Sequence, residues 1–260
     1  MTTLPPTSPS VPYSQVCSEL GTGDLLFLHG TSPAAVMVER LEERANLPPY
    51  SHVGMVVKDG DNLYLWDAPG GGDCFCDPYV SNPDNRLNGN DPVHGGCRVS
   101  VLEKVLPYYV TLVDPVGFWL RRLTSGVSQE QVAALRRFIN RVDGLPFPPG
   151  PEAVGLVLNF AAAKKKCSLF YGTYFCSQLV AESYMHMGLL EMECLPPNGY
   201  SPAAFGMNEP NQLRLVSRAT LGDVVFVTWD SPTGRGKPCP PEAAPAEGAP
   251  GFWTFTKPVA

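Results

Sequence analysis

No run in this 260-residue chain is long and apolar enough to cross a bilayer. The longest apolar stretch, residues 154–163, is about half the roughly 20 residues a spanning helix needs, and it contains Asn159. Basic blocks are absent beyond Lys164-Lys165-Lys166, and the net charge is −6, so no nucleic-acid-binding face is expected. The first residues, MTTLPPTSPSVPYSQ, have neither a charged n-region nor an apolar h-region. No secretory leader is therefore expected, and a cytoplasmic location follows as the expectation. Charged residues are few, at 17%, while hydrophobic ones reach 44%, which excludes a chain disordered throughout. Glycine (25) and proline (28) make up about a fifth of the chain, below the level of a low-complexity sequence. Eight cysteines without a leader read as reduced thiols and not as a disulfide scaffold.

What remains is a folded body over about 17–230, between a Thr/Pro/Ser-rich tail (1–16) and a Pro/Gly/Ala-rich one (231–260). Residues 23–28 read as a buried strand after a glycine turn. Ser32-Pro33 opens a helix that runs to about Ala45 and is stopped by Pro48-Pro49. HVGMVV (52–57) and NLYLWD (62–67), around Asp59-Gly60-Asp61, read as a hairpin. Strands are also expected at 98–102, 109–113 and 221–229. Ser128-x-x-Gln131 is a capping box ahead of a helix with Val132, Leu135, Ile139 and Val142 on one face. A further helix starts near Cys176 and runs to Gly188, with Leu179, Val180, Ser183 and Met187 inward. Residues 68–97 form a long Gly/Asp/Asn/Cys-rich insertion. The class is α+β, an antiparallel sheet with helices packed to one side.

The thiol of greatest chemical interest is Cys176, at a helix start. There the unpaired backbone N–H groups and the helix dipole favour an anionic sulfur and would receive an oxyanion. A nucleophilic thiol needs a base, and the chain has four histidines, His29, His52, His94 and His186. His52 heads a buried strand, and Asp67 ends the next, within reach to orient its ring. His29 reads as a turn residue and His186 as a packed or capping one. Cys17, Cys167, Cys194 and Cys239 carry no motif. A rival constellation is Cys74-x-Cys76 with His94-x-x-Cys97, four soft ligands that would suit zinc, although C-x-C is tighter than the usual spacing.

Taken in order, GDLLF, a helix, SHVGMVV, NLYLWDAPG, GLPF and YFCSQLVAESY resemble the circularly permuted NlpC-type branch of the papain-like fold. That branch includes the YiiX-like proteins, related poxvirus proteins and relatives of lecithin:retinol acyltransferase. The resemblance covers roughly residues 21–205, including a YSPAAF segment after the cysteine helix. It implies a permuted papain-like fold, with Cys176 as nucleophile, His52 as base and Asp67 as the third residue. The YiiX-like members usually carry Glu where this chain has Asp67, and their connection is shorter where this chain has 68–97. The implied activity is that of a cysteine peptidase or amidase acting through a thioester on a peptide or acyl-amide substrate, without a cofactor. The Cys176 N–H is the implied oxyanion donor, Tyr174 or Tyr171 a second donor or a packing residue, and Ser51 a substrate-side residue or a partner for strand-end backbone. Lipid acyl hydrolysis or transfer on the same fold, and a non-catalytic module binding through 68–97, are the alternative readings.

Overall fold

The run Leu25–Leu28 (β2) is apolar at every position, and such a strand needs cover on both faces. The structure, a computed structural model, provides it: Leu25 and Phe27 join one hydrophobic cluster, Leu26 and Leu28 a second one on the opposite face. Residues 10–30, 33–70, 95–110, 116–148, 172–192, 195–207, 213–216 and 218–230 are described. Apart from short 3-10 turns, the remaining elements are β1 (Val11–Pro12), α1 (Tyr13–Val16), α2 (Pro33–Arg44), β3 (His52–Asp59), β4 (Asn62–Asp67), β5 (Arg98–Val101) and α3 (Leu102–Val110). They continue as β6 (Gly117–Leu123), α4 (Gln129–Val142), α5 (Cys176–His186), α6 (Pro202–Gly206) and β7 (Leu221–Thr228). Among the described residues the strands form one seven-stranded sheet in the order β1-β7-β6-β2-β3-β4-β5. Every pairing is antiparallel except the two-residue β1–β7 contact.

The expected α+β class and the sheet-on-helix packing are present, but helices cover both faces and not one. Leu135, Ile139, Val142, Leu179 and Val180 of α4 and α5 pack on one side. Leu102, Val105, Leu106 and Tyr109 of α3 pack on the other, together with Tyr13 and Cys17. Residues 109–113 were expected as strand; Tyr109 and Val110 instead end α3, and 111–113 lie outside the described residues. The apolar set 102, 105, 106, 109, 110 has helical spacing, and it outweighs Pro107, which removes only one backbone donor. The N-terminal boundary also moves. Residues 11–16 belong to the body, since β1 pairs with β7 and Tyr13 is buried. β6 (GFWLRRL) has no counterpart among the expected elements. Residues 231–260 and the Ser32 cap lie outside the described residues.

The capping box at α4 forms as expected: Gln131 N–H donates to Ser128 Oγ (3.2 Å) and Ser128 N–H to Gln131 Oε1 (2.8 Å). The segment after α4 then ties two parts of the molecule together. Cys97 N–H donates to Leu145 O (2.9 Å), Gly144 N–H to Cys97 O (2.9 Å) and Tyr174 N–H to Pro146 O (3.0 Å). The GLPF stretch (144–147) thus fixes both the entry to β5 and the approach to α5. Gly96, at φ +136°, is required there, because a Cβ would collide with the Leu145 carbonyl and the Pro146 backbone.

Candidate active site

β3 begins at His52 and β4 ends at Asp67, so the hairpin register returns both residues to one end of the sheet. Gly54 stands beside Asp67 on the neighbouring strand. A Cβ at that position would stand 2.6 Å from Leu65 Cδ1 and 3.3 Å from Asp67 Cβ, so glycine permits the close approach of the two strands. Asp67 Oδ2 accepts from His52 Nε2 at 3.1 Å, and both side chains are buried.

Cys176 opens α5 behind Phe175, whose backbone is extended and whose side chain provides no cap. The N–H groups of the first turn therefore have no intrahelical acceptor, and no acidic side chain competes for them. The buried Sγ lies 4.0 Å from the Ser51 carbonyl oxygen, beside the first residue of β3. It acts on the His52 ring both as a charge and as a hydrogen-bond partner. Since Nε2 is held by Asp67, Nδ1 is the nitrogen left for the sulfur.

The charges follow from these contacts. Burial alone would lower the basicity of His52, but the sulfur of Cys176 and the Asp67 carboxylate outweigh it and push the imidazolium up to about 10. Burial would likewise raise Asp67; Arg98 first, then His52 and Tyr109, hold the carboxyl below its ordinary range. Glu42 of α2 is a second buried acid within electrostatic range of Cys176. Its Oε1 accepts from Ala203 N–H at 2.9 Å, and burial pushes its carboxyl up to about 9.

Cys176, His52 and Asp67 are thus brought together. Ser51 Oγ accepts from Gly30 N–H at 2.7 Å, at the head of β3. Tyr174 is half-buried; its ring meets Phe138 edge-on and its hydroxyl engages Glu182. Tyr171, Cys74, Cys76 and His94 lie outside the described residues. Cys97 is sealed in the core, where burial pushes its thiol well above the ordinary range. Among the described residues no group of three or more His, Cys, Asp or Glu side chains is arranged to hold a metal. His29 pairs with Glu39 at 2.6 Å, and His186 stacks on Phe138 near Glu182.

Glu42, Arg98 and Tyr109 escaped the sequence reading. Glu42 sits among several charged residues of α2, and nothing in their spacing marks it. Arg98 is the first residue of an expected strand, and only the β4–β5 register, which sets it opposite Asp67, reveals its role.

No protein-family model matches this chain, and no curated protein does. Among solved structures, the crystal structure of metalloprotein yiiX from Escherichia coli O157:H7 is similar in fold at a TM-score of 0.42. The two share 18% sequence identity, over 76% of this chain and 96% of that one. At that level nothing about activity passes from one chain to the other. No helix among the described residues is long and apolar enough to cross a membrane.

Proposed function

We propose that the protein is a cysteine-dependent hydrolase of peptide or acyl-amide bonds on a permuted papain-like scaffold. One observation carries the reading: a buried thiol at an uncapped helix start faces an imidazole whose other nitrogen is held by a buried carboxylate. That is the arrangement nucleophilic cysteine chemistry requires. His52 holds the proton given up by Cys176, and Sγ attacks the carbonyl carbon of the substrate. The oxyanion that forms is met by the N–H groups of the first turn of α5. His52 returns its proton to the departing amine, which leaves the acyl group on Sγ as a thioester. Water, deprotonated by His52, then attacks that carbon and releases the acid and the free thiol. Asp67 keeps the imidazole in the tautomer and orientation these transfers need.

The test is alkylation by iodoacetamide with peptide mapping across pH 5–9, on the parent chain and on His52→Ala. We expect Cys176 to react faster than the other thiols at about pH 6 and to lose that advantage in His52→Ala. A Cys176 no more reactive than its fellows, or indifferent to His52, would sink the reading and leave a binding module as the alternative. With the pair established, hydrolysis of peptide, amide and acyl-ester libraries, abolished in Cys176→Ala, separates amide from lipid substrates.

A further inference from the structure

Behind Asp67 the structure builds a second set of contacts that this mechanism does not use. Arg98 stands directly across the β4–β5 ladder from Asp67. Its Nε donates to Asp67 Oδ1 at 3.2 Å, and its Nη2 donates to the Tyr109 hydroxyl oxygen at 3.1 Å. That hydroxyl in turn donates to Asp67 Oδ2, the same oxygen that accepts from His52 Nε2. The Tyr109 ring also lies against the imidazole, with centroids 5.4 Å apart and planes 14° from parallel. Arg98 and Tyr109 are 3% and 0% exposed, so water does not substitute for either partner.

We propose that Arg98 and Tyr109 are positioning residues of the site: they fix the Asp67 carboxylate for His52, and Arg98 balances its charge so that Cys176 can ionise. The proposal rests on the reading of Cys176, His52 and Asp67 as the reacting set.

Net charge is costly in so buried a place. With Arg98 present, the thiol–imidazole and thiolate–imidazolium states of Cys176 and His52 each sum to zero with Asp67. Proton transfer from sulfur to ring then moves charge inside a neutral set. Without Arg98 both states carry a buried −1, and the neutral state is the one holding an additional proton, an imidazolium beside a thiol. Loss of Arg98 therefore protonates the sulfur and moves its reactivity to higher pH. Arg98→Lys keeps the charge but not the fork that reaches both Asp67 and Tyr109. Tyr109→Phe keeps the ring against His52 and removes only the hydroxyl.

The experiment is the pH profile of Cys176 alkylation by iodoacetamide in the full chain, with thermal unfolding alongside. In Arg98→Met, alkylation at about pH 6 should fall roughly tenfold or more, as expected when an opposite charge is lost beside a buried ionised group, with the profile displaced to higher pH. Arg98→Lys should recover most of the parent profile, and Tyr109→Phe should be displaced in the same direction by less. A folded Arg98→Met with the parental profile overturns the proposal, as does an Arg98→Lys no better than Arg98→Met. If Arg98→Met does not fold, Tyr109→Phe decides, and an unmoved profile overturns the proposal. His52→Ala separates the two levels. If it leaves Cys176 unchanged, the reacting set itself is wrong; if it silences Cys176 while folded Arg98 and Tyr109 variants behave as the parent, only the positioning role fails.

Discussion

Asp67 and Glu42 are both carboxylic acids buried close to Cys176, and the fold keeps one charged and the other neutral. Asp67 is fully enclosed, yet it faces Arg98 across the ladder and accepts from His52 and Tyr109, which hold it ionised. Glu42 on α2 has no cation paired with it among the described residues. It is met by the Ala203 N–H, the Ser201 hydroxyl and the Tyr50 N–H, and these dipoles do not outweigh burial. Burial alone thus does not decide the state of an acid; the counter-charge within contact distance does. The difference suits the two positions. An imidazolium needs a fixed anion beside it, whereas a second negative charge near the sulfur would oppose its ionisation.

Asp67→Asn tests the charged half of this comparison and carries the largest expected effect. The variant keeps the volume but leaves the Arg98 guanidinium buried without a counter-charge, a loss of about 3–5 kcal/mol in unfolding free energy at pH 7. The stability that comes from a depressed carboxyl is present above its ordinary value of 3.8 and lost as pH falls through the lowered one. The gap between parent and Asp67→Asn in urea unfolding should therefore narrow below about pH 4. A loss under 1 kcal/mol at pH 7, constant with pH, would mean that Asp67 is not held as an ion.

How far this arrangement could be read from the chain depends on where each partner comes from. Cys176, His52 and Asp67 carry local signals (a helix start, a strand head behind Ser51, a strand end inside a hairpin), but many residues share these, and it is the order of the motifs SHVG, NLYLWDAPG and FCSQLV that singles them out. Leu25–Leu28, the capping box at Ser128 and the apolar face of α4 are legible within the chain itself, because their causes lie within a few residues. Arg98 and Tyr109 are different. Their meaning depends on β5 pairing with β4 and on α3 folding back over the sheet, both set by long-range packing. The spacing of α3 is present in the residues, but Pro107 and the aromatic pair Tyr108-Tyr109 pull a local reading toward strand. β6 was hidden by Arg121 and Arg122, which look like surface residues. Arg121 is in fact buried, donating to the carbonyls of Phe205 (2.6 Å), Met207 (2.7 Å) and Gly222 (2.8 Å), and no pattern in the sequence announces backbone acceptors so far away. Glu42 belongs to the same class, since its partners come from α6 and the residues before β3.

Glu42→Gln probes the neutral half, with a smaller effect of opposite sign. A folded carboxyl raised to about 9 from its ordinary 4.5 binds a proton that the unfolded chain has released. Its contribution to stability is full below pH 4.5 and is lost as pH rises toward 9, at a limiting slope of about 1.4 kcal/mol per pH unit for one proton. Glutamine mimics the protonated acid and never pays for keeping it so. The variant should match the parent near pH 4.5 and become the more stable of the two at pH 7, by up to about 3 kcal/mol at that slope, with a flatter profile up to pH 9. Parallel urea unfolding of both chains at pH 4.5, 7 and 8.5 checks this. A Glu42→Gln that is destabilised more at pH 8.5 than at pH 4.5 would show an ionised Glu42 and would place two negative charges, not one, around the sulfur of Cys176.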